Sequence, residues 1–362
     1  MNILIFNIGS STVKYAVYTD LVLNFKGVIE KIRNDVGYIS AINKVFRLIE
    51  SKKLTVHAIG HRVVHGGNIR EPEIINSRVI SIIKKYSAFA PLHNPPELIG
   101  IMHCKKIFGV KQIAVFDTSF FSRLPEKSYI YGIPYKYYLK YGIRRYGFHG
   151  ISHKYVALKA SEILRKDFSK LKLITCHLGN GSSISAIDRG VCIDTSMGLT
   201  PLEGLVMGTR CGDIDIGTVL YLMERERIDI KETSEILNKY SGMLGISGIS
   251  RDVRTLLKSR NKRARLAIEI FTYRLSKYIG AYMSALNGAD AIVFTGGIGE
   301  NSAIIRENAL NSLRFTGLIL DKDLNSRNAE IITKKESNIT ALAIKTDEEL
   351  MIAKEVVSLL RR

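Results

Sequence analysis

The sequence predicts an α/β protein built from two related halves, and three observations support this. The chain has 362 residues, which is too long for one ordinary core and suits two domains. Strand patterns alternate with helical patterns along its length. A turn that follows the first strand, Gly9-Ser10-Ser11, recurs about half a chain later as Gly181-Ser182-Ser183. Both copies lie between two strands, so the recurrence predicts halves that begin alike.

Each half is predicted from its own series of strands and helices. Three strands joined by short turns give the first half an antiparallel start, at 3–7, 13–18 and 21–29. Helices are then predicted at 38–52 and 95–108, and strands at 56–64 and 112–117. The helices predicted in the second half lie at about 152–168, 215–227, 231–241, 263–286 and 347–360. Its predicted strands lie at 171–178, 185–187, 191–193, 291–295 and 339–344.

Three glycine-rich turns, at residues 7–12, 179–183 and 296–301, follow strands and carry serine or asparagine. Glycine lets a backbone approach a phosphate group, whose charge the N–H groups of the turn can bind. The first two turns precede strands, which predicts hairpin phosphate clamps, and the P-loop pattern is absent. The third lies near the end of the chain, which argues against a dinucleotide-binding fold. Together the turns resemble those of the actin, sugar kinase and heat-shock chaperone superfamily, in which two α/β halves clamp ATP.

Composition narrows the class of protein. The formal net charge is +19, but the basic residues are spread along the chain without an arginine-rich tract. We therefore expect a generally basic surface that attracts anions such as ATP, and no nucleic-acid partner. The four cysteines lack the C-x-x-C spacing that is typical of zinc and redox sites. The sequence shows no signal peptide and no apolar run of about 18 residues, so we expect a cytoplasmic protein with no membrane partner.

Nine segments carry more specific motifs. They are NIGSSTVKY at 7–15, GHRVVHGG at 60–67, APLHNPP at 90–96, VFDT at 115–118, RRYGFHGISHKY at 144–155, TCHLGNGSS at 175–183, DTSMGLTPLEGLVMGTR at 194–210, FTGGIGEN at 294–301 and TDEEL at 346–350. In sequence and in order, over nearly the whole chain, these segments resemble the acetate kinase family.

The resemblance implies two related actin-like or ribonuclease H-like domains with an ATP cleft between them. We place the first domain at 1–148 and the second, nucleotide-binding domain at 149–346, with the closing helix at about 347–362 packed back on the first. The implied activity is a reversible, magnesium-dependent, in-line transfer of the γ-phosphoryl group of ATP to acetate, which gives acetyl phosphate and ADP. Mn²⁺ is expected to replace Mg²⁺, and the resemblance also implies a homodimer.

Cationic residues should dominate the site of such a reaction, because two anions must meet and acetate needs no base to become a nucleophile. The resemblance assigns Arg62 to the acetate carboxylate, Arg210 to the transferring phosphoryl group and His149 to a phosphoryl oxygen in the transition state. Asp117 matches the residue usually called catalytic in the family. Three roles stay open for it: holding Arg62, ordering magnesium-bound water, or steering acetate.

The remaining contacts are also implied by the resemblance. The magnesium ligands are Asn7 and Glu348. The acetate pocket is lined by Val64, Leu92, Phe148 and Pro201. The contacts with ATP or ADP are Lys14, His177, Leu178, Gly179, Asn180, Gly181, Asp252, Val253, Arg254, Gly297, Ile298, Gly299, Glu300 and Asn301.

The chain departs from the family pattern in two places. It is somewhat short before Arg62, and Ser119-Phe120-Phe121 stands where alanine, phenylalanine and histidine usually follow the aspartate motif. Both departures concern loops and oligomer contacts more than chemistry. The nearest alternative function is a propionate or other short-chain acyl kinase, because one methylene group is worth only about 1–3 kcal/mol of discrimination. A binding-only ATPase-fold switch and a nucleic-acid-binding protein are the other classes.

Overall fold

The computed structural model describes residues 1–362 as two compact units, each built on one β-sheet. Unit 1 comprises Met1–Ser122, Phe148–Tyr155 and Asp347–Arg362, and unit 2 comprises Arg123–Gly147 and Val156–Thr346. The strands of unit 1 are β1 (Asn2–Ile8), β2 (Val13–Thr19), β3 (Val22–Ile29), β4 (Ala58–Val63), β5 (Glu73–Ile74) and β6 (Lys111–Phe116). Those of unit 2 are β7 (Lys172–Leu178), β8 (Ser182–Asp188), β9 (Val191–Thr195), β10 (Ala291–Thr295) and β11 (Thr340–Ala343).

The helices are, in chain order, α1 (Asp35–Ser51), α2 (Ser77–Tyr86), α3 (Asn94–Ile107), α4 (Glu126–Tyr129), α5 (Lys136–Tyr141), α6 (Gly150–Leu164), α7 (Ile216–Glu226), α8 (Ile230–Glu235), α9 (Gly242–Ser247), α10 (Val253–Lys258), α11 (Lys262–Leu286), α12 (Gly296–Asn301), α13 (Ala303–Asn311), α14 (Lys322–Ser326) and α15 (Glu348–Leu360). None of them combines the length and the apolar character that crossing a membrane requires.

The two sheets repeat one strand arrangement. The strand order of unit 1 is β3-β2-β1-β4-β6-β5, and that of unit 2, read from its β9 edge, is β9-β8-β7-β10-β11. In each sheet the first three strands are antiparallel to one another. Two more strands then follow on the other side of the first strand, parallel to it: β4 and then β6 in unit 1, and β10 and then β11 in unit 2. The turns at 9–12 and 179–181 connect the first two strands of each sheet. The prediction of two related α/β halves, made from the recurring turn, is therefore confirmed.

Burial explains why the central strands read as apolar runs. Every residue of β1 after Asn2 is buried, as expected for a strand that is covered on both faces, whereas β3 at the edge is largely exposed. On one face of the sheet of unit 1, α1 packs over β1 and β2. On the other face, α15 lies against β4 at Gly60, where an added Cβ atom would come within 2.9 Å of Ile352 and Val356. The core of unit 2 forms around α11, which packs on β7, β8 and β10.

The predicted strands are all present, and their ends differ from the predicted ones by at most three residues. The helix predicted at 231–241 is instead the short α8 followed by a π-helical turn at Ile236–Tyr240. Strand β5, helix α2 and the short helices α4, α5, α9, α10 and α14 were not predicted from the sequence. The helix predicted at 38–52 begins earlier, because the Asn34 side chain accepts a hydrogen bond from Gly37 N and caps α1.

Candidate functional site

The strand order of unit 1 brings three predicted site residues together. Asn7 lies near the end of β1, Arg62 near the end of β4, and Asp117 directly after β6, and these three strands are parallel neighbours. The carboxyl ends of parallel strands meet at one edge of a sheet, which is where open α/β sheets bind ligands. Topology alone thus accounts for the clustering of residues that are 55 positions apart in the chain.

Arg62 is the centre of this cluster. Its Nη2 lies 2.7 Å and its Nε 3.2 Å from Asp117 Oδ2, and its Nη1 donates to Asn7 Oδ1 at 3.1 Å. Asp117 is 1% exposed. Burial raises the pKa of Asp117, and the guanidinium of Arg62 opposes that shift. Burial alone would lower the pKa of Arg62, but Asp117 and Glu348 raise it overall.

The N-terminus of α15 supplies two carboxylates to the same cluster. Asn7 Nδ2 donates to Glu348 Oε2 at 3.1 Å and to Glu349 Oε1 at 3.0 Å. Glu348 Oε2 also lies 3.9 Å from Arg62 Nη1. The helix begins where the Asp347 side chain accepts a hydrogen bond from Leu350 N, and the first turn of a helix favours acidic side chains. Glu348 was predicted from the sequence and Glu349 was not, although Glu349 is the next residue of the same TDEEL motif.

His149 is held beside Asp117 by the backbone. Its φ is +57°, a conformation that is uncommon for a residue other than glycine. The next residue must be glycine, because a Cβ atom on Gly150 would lie 1.9 Å from Asp117 O. His153 N donates to His149 O at 2.9 Å, so His149 begins the first turn of α6. The start of α6 thus packs directly on the residue that follows β6.

The predicted acetate-pocket residues differ in their surroundings. Val64 and Phe148 are buried in unit 1, whereas Leu92 is 45% exposed. Pro201 lies in an irregular segment of unit 2. Lys14, which was predicted to reach ATP, is exposed on β2 opposite Asn7.

Glu97 is a buried carboxyl group that the sequence analysis missed. Its Oε2 accepts a hydrogen bond from Val64 N at 3.1 Å, and its Oε1 is buried without a hydrogen-bond partner. Burial raises its pKa to about 8, although nearby Arg62 acts to lower it. The sequence feature that could have indicated Glu97 is its place directly after Pro95-Pro96, because this position lies on the buried face of α3.

Two of the glycine turns meet in unit 2. β7 and β10 are parallel neighbours, so the turn at 179–181 and the segment at 296–301 follow adjacent strand ends. Gly296 has a φ of +76°, and a Cβ atom there would lie 2.6 Å from Leu178 O. Close packing of the two backbones therefore requires glycine at this position. His177 is near the same turn, since a Cβ atom on Gly179 would lie 3.9 Å from its Nε2.

A cavity of about 770 Å³ opens beside these turns. Eight predicted nucleotide contacts line it: Gly179, Asn180, Asp252, Val253, Arg254, Gly297, Ile298 and Asn301. The sequence analysis missed five more, which are Arg251, Leu257, Ser302, Ala303 and Ile304. Ser302 is one of these lining residues, and its hydroxyl oxygen is buried without a hydrogen-bond partner.

Some predicted nucleotide contacts already have partners in unit 2. Asp252 Oδ1 caps α10 by accepting from Arg254 N at 2.8 Å, and its Oδ2 pairs with Arg254 Nη2 at 2.6 Å. Glu300 Oε1 accepts from Gly296 N at 3.1 Å and from Thr346 N at 3.0 Å. Glu300 thus ties the start of α12 to the chain that follows β11, and it does not line the cavity. Leu178, Gly181 and Gly299 are also outside the lining.

Arg210 has no carboxylate partner. Its Nη1 donates to Pro201 O at 3.1 Å and lies 3.8 Å from Met207 Sδ. Burial lowers its pKa, since nothing compensates the desolvated charge. A partly buried guanidinium without a counter-charge favours the binding of an anion. Arg210 and Pro201, predicted from one motif to act on different substrates, are in contact in unit 2.

The chain is similar to known proteins along nearly its whole length. The model of the Acetokinase family matches residues 35–354. Acetate kinase of Halothermothrix orenii is 47% identical over 392 aligned residues, which cover 98% of either chain. The crystal structure of Porphyromonas gingivalis acetate kinase matches with a TM-score of 0.90 at 39% identity and covers 99% of both chains. A propionate kinase from Francisella tularensis matches with the same TM-score at 41% identity, over 98% of both chains.

Proposed function

The chain belongs to the acetokinase family, whose members transfer a phosphoryl group to a carboxylate, and on this basis we propose that it phosphorylates acetate with ATP. The products are acetyl phosphate and ADP, and the reaction is reversible. The observation that supports this most directly is Arg210, a partly buried guanidinium with no carboxylate partner. Such a group suits the phosphoryl group in transfer, because negative charge must be compensated there and no covalent help is needed.

Acetate is proposed to bind at Arg62. Asp117 holds its guanidinium at Nε and Nη2 and Asn7 holds it at Nη1, which fixes the orientation of a planar, permanently charged group. Of the three roles that the sequence left open for Asp117, the ion pair at 2.7 Å favours the role of holding Arg62. Acetate is already an anion at neutral pH, so no general base is required. Buried Val64 and Phe148 are proposed to contact its methyl group.

His149 is proposed to donate a hydrogen bond to an oxygen of the transferring phosphoryl group. The backbone that carries this side chain is held by the close contact of Gly150 with Asp117 O, which fixes the point from which the imidazole extends. A donor that is held in place before the reaction stabilises developing charge without reorganisation. In-line transfer, in which the attacking and leaving oxygens lie opposite each other, is the expected geometry.

The adenosine part of ATP is proposed to occupy the cavity of unit 2. Its volume and its glycine-rich edge fit a nucleoside. The backbone of Gly179–Gly181 and the start of α12 are proposed to bind the phosphates.

Magnesium is the metal that this proposal implies. The side chains of Asn7, Glu348 and Glu349 offer hard oxygen atoms within one cluster, and Mg²⁺ needs only one or two protein oxygens beside water and phosphate. The donor set therefore fits, with Asn7 and Glu348 as the proposed ligands, and Mn²⁺ accepts the same kind of ligand. When bound, the ion would neutralise charge on the phosphates of ATP.

A propionate kinase is the second candidate function. The propionate kinase of Francisella tularensis is as similar in fold as the acetate kinase structure. A pocket lined by Val64 and Phe148 limits the acyl chain only by its size, and one methylene group changes selectivity by about 1–3 kcal/mol.

The reaction can be tested by trapping acyl phosphates as hydroxamates. The purified chain is incubated with ATP, Mg²⁺, hydroxylamine and either acetate, propionate or butyrate. We expect a magnesium-dependent signal that is strongest with acetate, falls by orders of magnitude to a residual level in Arg210→Ala and persists in Arg260→Ala, which changes an exposed arginine. A stronger signal with propionate would favour the second candidate. A folded chain that gives no hydroxamate with any acid would overturn the proposal.

The assembly and the location of the reaction are part of the same proposal. α7 has no buried residue, and its apolar side chains Ile216, Leu220 and Tyr221 are exposed, which suits a contact with a second copy of the chain. We propose a homodimer on this ground. Because the reaction consumes ATP, the cytoplasm is its proposed location.

A further inference from the structure

The segment at 196–213 of unit 2 is long and irregular but largely buried. It connects β9 to the residues before α7 and contains no helix or strand. Ser196, Met197, Leu205 and Met207 in this segment are completely buried. Connections of more than about 12 residues without secondary structure are uncommon in compact domains and usually functional. The segment has no regular ladder of backbone hydrogen bonds. Scattered backbone bonds, such as Ser196 N to Ile184 O and Gly208 N to Asn180 O, hold it together with the side chains described next.

Arg145 provides the first of these attachments. Its Nη1 donates to Thr195 O and to Ser196 O, both at 3.0 Å, where the segment leaves β9. Its Nε donates to Ser128 O at 3.2 Å. Its Nη2 pairs with Glu203 Oε1 at 2.5 Å. Four acceptors thus surround one planar group, which is the arrangement that arginine holds best.

Tyr131 provides the second attachment, on the other oxygen of the same carboxylate. Its hydroxyl donates to Glu203 Oε2 at 2.5 Å and accepts from Leu199 N at 2.9 Å. Gly198 lies against both groups, because a Cβ atom there would be 1.8 Å from Glu203 Oε2 and 2.1 Å from Tyr131 Oη. The first half of the segment therefore packs around the carboxylate of Glu203.

Asp213 anchors the far end of the segment. Its Oδ1 accepts from Gly204 N at 2.8 Å, and its Oδ2 accepts from Tyr278 Oη at 2.7 Å. Arg210 lies between the two anchors, and its Nη1 donates to Pro201 O in the first half. The position of the Arg210 guanidinium thus depends on how the first half is held.

We propose that Glu203, with Arg145 and Tyr131, is a positioning residue. It holds the 196–213 segment so that the Arg210 guanidinium is placed to bind the transferring phosphoryl group. The inference rests on the proposed function, in which Arg210 binds the transferring phosphoryl group. Glu203 itself touches no reacting atom. Its carboxylate accepts hydrogen bonds from Arg145 and Tyr131, which lie in the 123–147 stretch of unit 2, and both also bond to the backbone of the segment.

Two conservative variants test this role. Glu203→Gln keeps the shape of the side chain and removes its charge, and Tyr131→Phe removes a single hydroxyl. We expect kcat to fall about 10- to 100-fold in Glu203→Gln and less in Tyr131→Phe, because small misplacements of a catalytic group have such effects. The KM for ATP should stay unchanged, since neither residue lines the nucleotide cavity. Tyr273→Phe, which changes an exposed tyrosine of α11, is the matched control and should behave like the wild type.

A double-mutant comparison separates positioning from a merely structural effect. If Glu203 acts through Arg210, then Glu203→Gln should cause no further loss of kcat in an Arg210→Ala background. A full additional loss there, or wild-type kcat in both single variants, would overturn the inference.

Hydrogen exchange makes the test independent of catalysis. In Glu203→Gln the backbone amides of 196–213 should exchange faster than in the wild type, while those around the nucleotide cavity keep their protection. Unchanged protection of 196–213 would overturn the inference even if the chain were active. A wild-type chain without kinase activity would instead reject the proposed function, and the exchange result would still decide whether Glu203 holds the segment.

Discussion

Asp117 is expected to contribute both to the stability of the fold and to the proposed activity. Asp117→Asn removes the negative charge that Arg62 faces at 2.7 Å, and an unpaired buried charge is costly. We expect the free energy of unfolding to fall by about 3 kcal/mol and kcat/KM for acetate to fall about 100-fold or more. Urea unfolding and the hydroxamate assay measure the two effects. Asp323→Asn, at an exposed position of α14, is the control, and normal acetate kinetics in Asp117→Asn would contradict the assignment.

Glu97 gives the chain a pH-dependent stability whose sign is opposite to that of most carboxylates. Burial raises its pKa from 4.5 to about 8, so the folded chain keeps a proton that the unfolded chain loses. Stability decreases with pH wherever the native state binds more protons. The free energy of unfolding should therefore fall as pH rises from about 4.5 to about 8 and level off above that.

Glu97→Gln tests this dependence, because glutamine does not ionise and keeps an acceptor for Val64 N. The variant should gain stability relative to the wild type as pH rises from about 5 to about 8. Urea unfolding at several pH values measures the difference, with Glu336→Gln as the exposed control. Equal pH slopes for wild type and Glu97→Gln would show that Glu97 is ionised in the folded chain.

The site residues that could be predicted from the sequence are those that lie at the ends of apolar strands. Asn7, Arg62 and Asp117 each follow or end an apolar strand, so their meeting is a consequence of the parallel order β1-β4-β6. Glu97 and Ser302 could not be found in this way, because their importance lies in an oxygen atom that is buried without a partner. Burial of single atoms depends on tertiary packing, which no local pattern encodes.

At the scale of elements, strands were easier to predict than short helices. Strands such as β1 and β10 are buried along nearly their whole length and read as unbroken apolar runs. Helices α9 and α10 have six residues each, which is less than two turns and too short for helical spacing to appear. The cap of α10 at Asp252 belonged to a segment that had been read only as a nucleotide contact.

Arg306 determines the position of α12. It is completely buried, and its guanidinium donates to Gly299 O at 2.8 Å, to Glu300 O at 3.0 Å and to Asn325 Oδ1 at 2.8 Å. Lysine cannot reproduce this fork, so Arg306→Lys should leave several acceptors unsatisfied and lower the free energy of unfolding by about 2 kcal/mol or more. Because α12 lines the nucleotide cavity, the KM for ATP should rise while the KM for acetate changes little.

Steady-state kinetics against each substrate, together with thermal unfolding, measure the effects of Arg306→Lys. Arg314→Lys is the matched control, since Arg314 is exposed and bonds only to the nearby Asn311. A rise in the KM for acetate alone would show that α12 is not part of the nucleotide site.

At the scale of the whole molecule, the repeated strand order was predictable and the differences between the halves were not. A recurring glycine-serine turn sufficed to predict that both sheets begin with a hairpin. The extra edge strand β5 has only two residues and carries no periodic pattern. The long irregular segment at 196–213 was visible as a motif, but its attachment to Arg145 and Tyr131 depends on groups more than 50 residues away.

The exposed face of α7 makes the proposed homodimer testable. Ile216 is 68% exposed, Leu220 62% and Tyr221 58%, on a helix without a single buried residue. An exposed apolar helix face of this kind marks a contact surface, and a second copy of the chain would cover it with an identical surface. Leu220→Glu places a charge at the centre of that face, where burial against another chain would leave it unpaired.

We therefore expect the wild type to have the mass of two chains by light scattering and Leu220→Glu to have the mass of one. Val36→Glu, at a 72% exposed position of α1, should not change the mass. A dimeric Leu220→Glu would move the interface to another surface, and a monomeric wild type would reject the homodimer.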